Sequence, residues 1–450
     1  MKVYVAGKGG REHAQAHAAA RAGAEVMVGP GNEGMEALAA AQDFSMWTDP
    51  AAEMDRLETI VVSAKRFGAD VVEIGSDDLL AAGLRDALDE AGIPAVGPTR
   101  RQAQLEWSKG WASEHLQDHG IPYPATESFR RSRMDELEPC LDRLDAEGRF
   151  PVWVKFDPLL AGKGALKATD REAVLRILEE APRHFGDKAE HFSLQEHAPG
   201  DEVSVYGITD GESILPLPPA RDHKRLYNRQ RGPQTGGMGG YTLDLPDRES
   251  RFIEDHLIRD TVLSMRREGR GFEGVLYGGA VLLPGGRAVA IEYNVRQGDP
   301  EAQMIMPGMR NWPEVLAATA GRELGEVTID HDGRFRICLV MSMRGYARAG
   351  RPLDEVSFEG LGDVLSLPAA RRGDLALYSA AMKFRRGRLA IAGAPGRALN
   401  VVVAGDRPAT AVREAHEAAR ILHEANAPWL HHRTDIGRDV AEDRDRPHIG

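Results

Sequence analysis

Cysteine is almost absent from this sequence. Only Cys140 and Cys338 occur, far apart and without Cys-x-x-Cys spacing, which argues against a disulfide framework or a thiolate zinc site. No apolar run approaches the ~20 residues that a membrane-spanning helix needs. The opening Met1-Lys2-Val3-Tyr4-Val5-Ala6-Gly7 runs straight into a strand and a glycine turn. It lacks the basic segment, apolar core and cleavage site of a secretory signal, so a cytoplasmic location is expected. Positive charge is also in deficit: 57 Lys and Arg face 69 Asp and Glu, a net charge of −12. That argues against generic nucleic-acid binding. Anionic small molecules remain compatible, because a local cluster of Arg and backbone N–H groups can bind phosphate within an acidic protein. Internal repeats and low-complexity linkers are missing as well.

What is present is ordinary globular material, 42% hydrophobic and 28% charged over 450 residues. At roughly 150 residues per domain, about three domains are expected. Residues 1 to about 100 alternate short apolar strands (Val3–Ala6, Glu25–Val28, Asp70–Gly75, Pro94–Val96) with helical stretches (Glu12–Arg21, Ala81–Ala91). Thr59–Ala64 reads equally as strand or helix. Such alternation implies an open parallel sheet with helices on both faces, binding ligands at the carboxyl ends of its strands. Residues 101–119 read as helix. Strands follow at Pro151–Phe156, Ala165–Ala168, Glu202–Thr209, Gly274–Leu283, Arg287–Asn294, Phe335–Ser342 and Ala398–Ala404, with a helix at Ala409–Glu424. The tail Arg438–Gly450 is charged and reads as frayed.

Four clusters carry chemistry. The turn Gly7-Lys8-Gly9-Gly10-Arg11-Glu12-His13 joins a strand to a helix, so its backbone can approach a phosphate or carboxylate. The second strand lacks the acid that would hold a dinucleotide ribose, which disfavours NAD(P); a purely structural turn is the plain alternative. Lys155, followed by Ala161-Gly162-Lys163-Gly164, suits phosphate binding, or else a tight hairpin with a solvated lysine. Glu292 and Asn294, at i and i+2 on one strand, project from the same face and offer two hard oxygens to Mg²⁺, or simply mark a solvated strand end. Finally, Asp222-His223-Lys224-Arg225 precedes Gly232-Pro233-Gln234-Thr235-Gly236-Gly237-Met238-Gly239-Gly240, a loop dense enough in glycine to favour backbone contact with an anion. His13 and His17 lie four apart but lack the accompanying Glu of a zinc helix, and His431-His432 reads as surface. Neither pair is assigned to metal.

In this order and spacing the pieces resemble the phosphoribosylamine–glycine ligases of the ATP-grasp superfamily. The resemblance extends through Pro30-Gly31-Asn32, Ala95-Val96-Gly97-Pro98-Thr99, Leu105-Glu106-Trp107-Ser108-Lys109, Gly298-Asp299-Pro300-Glu301 and Arg433-Thr434-Asp435. It implies an α/β and α+β multidomain chain with an ATP-grasp fold. An N-terminal Rossmann-like parallel-sheet domain would span 1–103 and the ATP-grasp domain 104–328, with a lid at about 121–195. A C-terminal mixed α/β domain at 329–437 and a tail at 438–450 would follow. The implied cofactors are ATP and Mg²⁺ (or Mn²⁺). The implied partners are small molecules, an amino acid or other carboxylate and an amine such as phosphoribosylamine, with no nucleic acid or membrane, in a monomer or homodimer.

Carried over by position, the resemblance assigns ATP binding to Lys109, Lys155, Gly162, Lys163, Gly164, Gln195, Glu196, His197 and Glu202, and metal to Glu292 and Asn294. It assigns substrate binding to Gly9, Gly10, Arg11, Glu12, His13, Asn32, Asp77, Gly237, Asp299 and Glu301, and catalysis to Arg296, Asp222 and Lys224. The chain also departs from the family pattern. Gly75-Ser76-Asp77-Asp78 replaces Gly-Pro-Glu-x, Gln195 replaces an acid, and Ser379-Ala380-Ala381-Met382 replaces His-Ala-Gly-Thr. Two alternatives therefore accompany the family reaction: a diverged ligase joining another carboxylate and amine, and a non-catalytic nucleotide-binding protein.

Overall fold

A five-stranded, fully parallel sheet opens the chain, in the order Trp47–Thr48, Glu25–Pro30, Lys2–Gly7, Val71–Ile74, Ala95–Val96. The computed structural model describes residues 1–157, 164–347 and 351–442. The central strand is buried from Val3 to Gly7, as expected when helices cover both faces of a parallel sheet. Helix Gly10–Arg21 is buried on every side over its first ten residues. Its alanines let it fit between this sheet, helix Glu301–Ile305 and strand Leu375–Ser379.

A nine-stranded antiparallel sheet forms the centre of the molecule. Its order is Arg287–Asn294, Gly274–Leu283, Asp201–Thr209, Ile214–Asp222, Gly239–Thr242, Phe335–Met343, Arg397–Gly405, Leu375–Ser379, with Leu430–His431 also paired to Phe335–Met343. It runs without interruption past residue 328, because Gly240 pairs with Cys338. Helix Pro408–Ala425 covers the Phe335–Met343 and Arg397–Gly405 strands. A separate four-stranded sheet, Thr126–Arg130, His191–Glu196, Val152–Phe156, Ala165–Ala168, carries its own core of Phe129, Leu141, Val154, Phe156, Leu178 and Phe192. Asp170 caps the helix Arg171–Phe185 beneath it, accepting from the Ala173 N–H at 2.8 Å.

Several expectations change. The helix read at Ala81–Ala91 is two, Asp77–Ala82 and Leu84–Glu90, because Gly83 adopts φ +96° and ends the first. Residues 101–119 also divide, into Gln104–Trp107 and Lys109–Asp118, with Ser108 extended between them. Thr59–Ala64 belongs to helix Leu57–Phe67. The tail begins as a helix, Arg438–Glu442, docked by a hydrogen bond from the Tyr241 hydroxyl to Asp439; residues 443–450 lie outside the described residues. His432 is buried rather than on the surface. Among the described residues no helix is long and apolar enough to cross a membrane.

Candidate active site

Where the parallel sheet, the four-stranded sheet and the central sheet meet, a cavity of about 410 Å³ opens. Its lining holds six basic side chains (Arg11, Lys109, Lys155, Lys224, Arg296, Arg397) and seven acids (Asp77, Asp78, Glu106, Asp222, Glu292, Asp299, Glu301). No Cys, His or Ser side chain lines it, so the described residues offer none of those nucleophiles for a covalent intermediate.

Each charge is fixed by local structure. Lys155 alternates with the core residues Val154 and Phe156, and its Nζ donates to the Ile291 carbonyl at 2.6 Å. Burial pushes its ammonium down to about 7, against the pull of Glu292. Lys109 opens the second half of the broken helix, and burial lowers it too. Opposite, Gly279 pairs with Glu292 across the sheet. A Cβ there would stand 2.8 Å from Glu292 Cγ, so glycine makes room for the carboxylate. Lys224 Nζ lies 2.7 Å from Glu292 Oε1. This partner, opposed by burial and assisted by Lys155, holds Glu292 down to about 2. Lys224 overcomes its own burial through Glu292 and neighbouring acids and sits well above the usual lysine range.

A second group surrounds Arg296. Its Nη2 donates to Glu106 Oε1 at 2.8 Å and to Asn294 Oδ1 at 3.3 Å, while Glu106 Oε2 accepts from the Val295 N–H at 2.8 Å. Burial raises Glu106 to about 7 despite Arg296. Arg296 Nε is buried without a partner. Arg397 reaches Asp299 Oδ2 at 2.9 Å and the carbonyls of Asp299 and Gly236 at 2.7 and 3.0 Å. It thereby joins the glycine-rich loop to the Asp299-Pro300-Glu301 turn. Gly237, at φ +120°, lies under that turn: a Cβ would meet Pro300 Cδ at 2.5 Å and Asp222 Oδ1 at 2.9 Å. Glu301 accepts from Ser204 Oγ at 2.9 Å. Burial, reinforced by Glu301, raises Asp222 well above the carboxylate range, against Lys224.

The cavity thus gathers Arg11, Asp77, Lys109, Lys155, Gly164, Asp222, Lys224, Glu292, Asn294, Arg296, Asp299 and Glu301 from the sequence-derived set. Others stand behind it. Glu12 reaches back to the Gly9 N–H at 2.6 Å and pairs with Arg11 at 2.8 Å, shaping the first turn before Gly10. His13 is buried against Phe44 and Tyr378; it accepts from the Ser379 N–H at 3.0 Å, and burial drives it down to about 3. Asn32 bonds the Lys8 and Ser379 carbonyls at 2.8 and 3.3 Å.

Gln195 is buried, with its amide nitrogen unpartnered. Glu196 pairs with Arg149, and His197 contacts Trp153 and Lys167. Glu202 shares a small side pocket with Asp222 and Lys224. Gly162 and Lys163 fall outside the described residues. Sequence reasoning gave no role to Glu106, Tyr277, Tyr346 or Arg397, all of which line the cavity. Glu106 stands inside a motif already singled out, next to Lys109, whereas no local pattern marks Arg397.

The donors fit a hard divalent cation: Glu292 stays ionised, and Asn294 adds a neutral oxygen from the same strand face.

The chain is similar to known proteins along nearly its whole length. The family model described as phosphoribosylglycinamide synthetase, N domain, matches residues 1–106, and the ATP-grasp (A) domain model of the same family matches residues 107–302. A phosphoribosylamine–glycine ligase of Vibrio parahaemolyticus is 32% identical, covering 99% of this chain and 100% of its own length. One from Rhodopirellula baltica is 35% identical over 93% of each. The crystal structure of phosphoribosylamine–glycine ligase from Thermotoga maritima superposes with TM-score 0.76 at 26% identity, covering 97% of this chain and all of that one. Matched by family models over residues 1–302 and by relatives nearly end to end, the chain belongs to the phosphoribosylamine–glycine ligase family and has its ATP-grasp fold.

Proposed function

We propose that this chain joins glycine to 5-phosphoribosylamine at the expense of ATP, giving glycinamide ribonucleotide, ADP and phosphate. The observation that carries the reading is the convergence of Lys109, Lys155, Lys224, Glu292, Asn294 and Arg296 on one cavity of a chain in this family. A carboxylate oxygen attacks the γ-phosphorus and the bond to ADP breaks, leaving an acyl phosphate. Lys109, Lys155 and Lys224 offset charge on the phosphoryl oxygens. Glu292 and Asn294 would hold Mg²⁺ (or Mn²⁺), which when bound supplies further neutralisation of the phosphates. The amine then attacks the acyl carbon, loses its proton, and phosphate leaves. Arg296, kept charged by Glu106 against the cost of burial, faces the tetrahedral oxyanion.

In this reading Gly164 borders the phosphates. Gln195, Glu196 and His197 line the adenine, and Glu202 takes the ribose hydroxyls. Gly9 to His13, Asn32, Asp77, Gly237, Asp299 and Glu301 shape the acceptor side. Purified protein given ATP, Mg²⁺, glycine and phosphoribosylamine generated in situ should release ADP in step with product. ATP binding without such release would refute the substrate pair.

A second reading keeps the chemistry and changes the substrates. It is favoured by Asp77 and Asp78, carboxylates on the cavity wall within a departure from the family pattern, with Asp77 3.7 Å from Arg11. Rescue of a purine auxotroph lacking its own ligase decides between them: growth supports the first reading, and no growth with ATP turnover on another pair supports the second.

A further inference from the structure

Away from the cavity, His115 and His119 face Glu268 across two packed helices. The two histidines lie one turn apart, on and at the end of helix Lys109–Asp118, and Glu268 follows helix Asp260–Arg267. One ligand atom from each, Nδ1 or Nε2 of the imidazoles and a carboxylate oxygen, lies within 4.8 Å of the others.

The hydrogen bonds around the two rings set the His119 tautomer and offer His115 two. Ser264 Oγ lies 2.7 Å from the Thr261 carbonyl and 2.8 Å from His115 Nε2; when it donates to the carbonyl, it accepts from His115 Nε2–H. In that tautomer His115 Nδ1 carries a lone pair directed at Glu268 Oε1, 3.0 Å away; in the other, Nδ1–H donates to the carboxylate. His119 Nδ1 faces the His115 carbonyl at 2.9 Å, which only accepts, so Nδ1 donates and Nε2 carries the lone pair. That Nε2 lies 3.8 Å from the same Glu268 oxygen. With His115 protonated on Nε2, three lone pairs converge on one point. A proton on His115 Nδ1 or a cation can stand among them, and burial of His115 disfavours its doubly protonated form, so the ring is kept in the neutral state that can bind a cation. Arg270 does not fill the gap: its Nε approaches the other oxygen, Oε2, at 3.7 Å, while its guanidinium stacks on Trp111.

We propose that His115 Nδ1, His119 Nε2 and the Glu268 carboxylate form a second cation site, selective for a zinc-class divalent ion over Mg²⁺. Two imidazoles and one carboxylate are a common zinc donor set, with further positions left for water, whereas Mg²⁺ prefers all-oxygen shells. Ligands 2.0–2.2 Å from a tetrahedral ion stand about 3.4 Å apart, and the 3.0 and 3.8 Å separations bracket that value. Ser264 and the His115 carbonyl orient the two rings from behind, as outer partners of metal-binding histidines do. The ion would tie the helix that begins at Lys109 to the helix packed beside it, steadying one wall of the cavity.

The test is Zn²⁺ titration of the full chain against a chromophoric chelator, in excess Mg²⁺ to saturate hard-oxygen sites. Wild type should bind one equivalent that the H119A/E268Q double variant loses, or holds at least about 100-fold more weakly. S264A should keep the stoichiometry and weaken binding by about 10–100-fold. Circular dichroism confirms that each variant is folded. Equal Zn²⁺ binding by wild type and double variant would overturn the proposal. So would ¹⁵N spectra showing His115 doubly protonated and unmoved by Zn²⁺, the signature of a simple ion pair.

Discussion

Replacing Gly237 with alanine tests whether the glycine-rich loop acts by close packing under the Asp299-Pro300-Glu301 turn. Two penalties combine. At φ +120° an L residue is strained, which costs about 1–3 kcal/mol. The new Cβ would also stand 2.5 Å from Pro300 Cδ and 2.9 Å from Asp222 Oδ1. A proline ring cannot rotate away, so the turn must shift, adding about 1–3 kcal/mol of overpacking. A loss of ~3–4 kcal/mol is expected. With about 2.1 cal/mol/K of unfolding entropy per residue over 450 residues, Tm should fall by about 3–4 °C. Activity should fall further than stability, because the shifted turn carries Asp299, and with it the Arg397 contacts that hold the loop. A displacement near 1 Å is worth about 100-fold in kcat. Gly23→Ala is the control: it has positive φ, +86°, but nothing within 4 Å of its Cβ. It should lose only about 1 kcal/mol, with kcat unchanged. Calorimetry with steady-state kinetics on both variants checks this; a G237A enzyme as fast as G23A would refute the packing account.

Lys155→Met should remove a titration as well as a phosphate contact. Burial depresses the folded-state ammonium to about 7, below its unfolded value near 10.5. Between those values the unfolded chain holds more protons, so wild-type stability should rise with pH from about 7 to 10.5 and the variant's should not. ATP binding near pH 8 should take up a proton in wild type, read as buffer-dependent binding heat that K155M lacks. The E292Q/N294A double variant should lose Mg²⁺-dependent turnover by about 1000-fold or more, equivalent to ~4 kcal/mol of transition-state stabilisation, while remaining folded; near-normal turnover would place the metal elsewhere. Arg433→Ala should be among the most damaging changes outside the cavity. Its buried guanidinium makes two 2.9 Å bonds to Asp435 and reaches the Arg225 carbonyl and Gln230 at 3.1 and 3.0 Å. Leaving Asp435 without it should cost about 3–5 kcal/mol, seen in denaturant unfolding.

Much of the fold is local enough to be read from the chain. Gly274–Leu283 and Arg287–Asn294 appear at the expected residues because a continuous apolar run and an alternating one flank a Pro284-Gly285-Gly286 turn. Strand Ile214–Asp222 is hidden by Pro216, Pro218 and Pro219, which normally speak against a strand. It tolerates them because the neighbouring strand Gly239–Thr242 pairs with it only at Ala220–Asp222. The breaks at Gly83 and Ser108 are single-residue decisions made by tertiary packing, and the second one sets Glu106 and Lys109 facing the cavity. The residues proposed for the phosphates and the metal stand out in the sequence because they cluster at strand ends with distinctive neighbours. Arg397 and Tyr346 were not: they join the site only when the central sheet brings the C-terminal strands beside Gly239–Thr242, about 100 residues or more away in sequence.

The most direct test of the account is oxygen tracing. Glycine labelled with ¹⁸O in its carboxylate, turned over with ATP and phosphoribosylamine, should deliver one ¹⁸O to inorganic phosphate per molecule of ligated product, with ADP as the nucleotide product. Label appearing in AMP, or phosphate free of label during turnover, would contradict acyl-phosphate ligation.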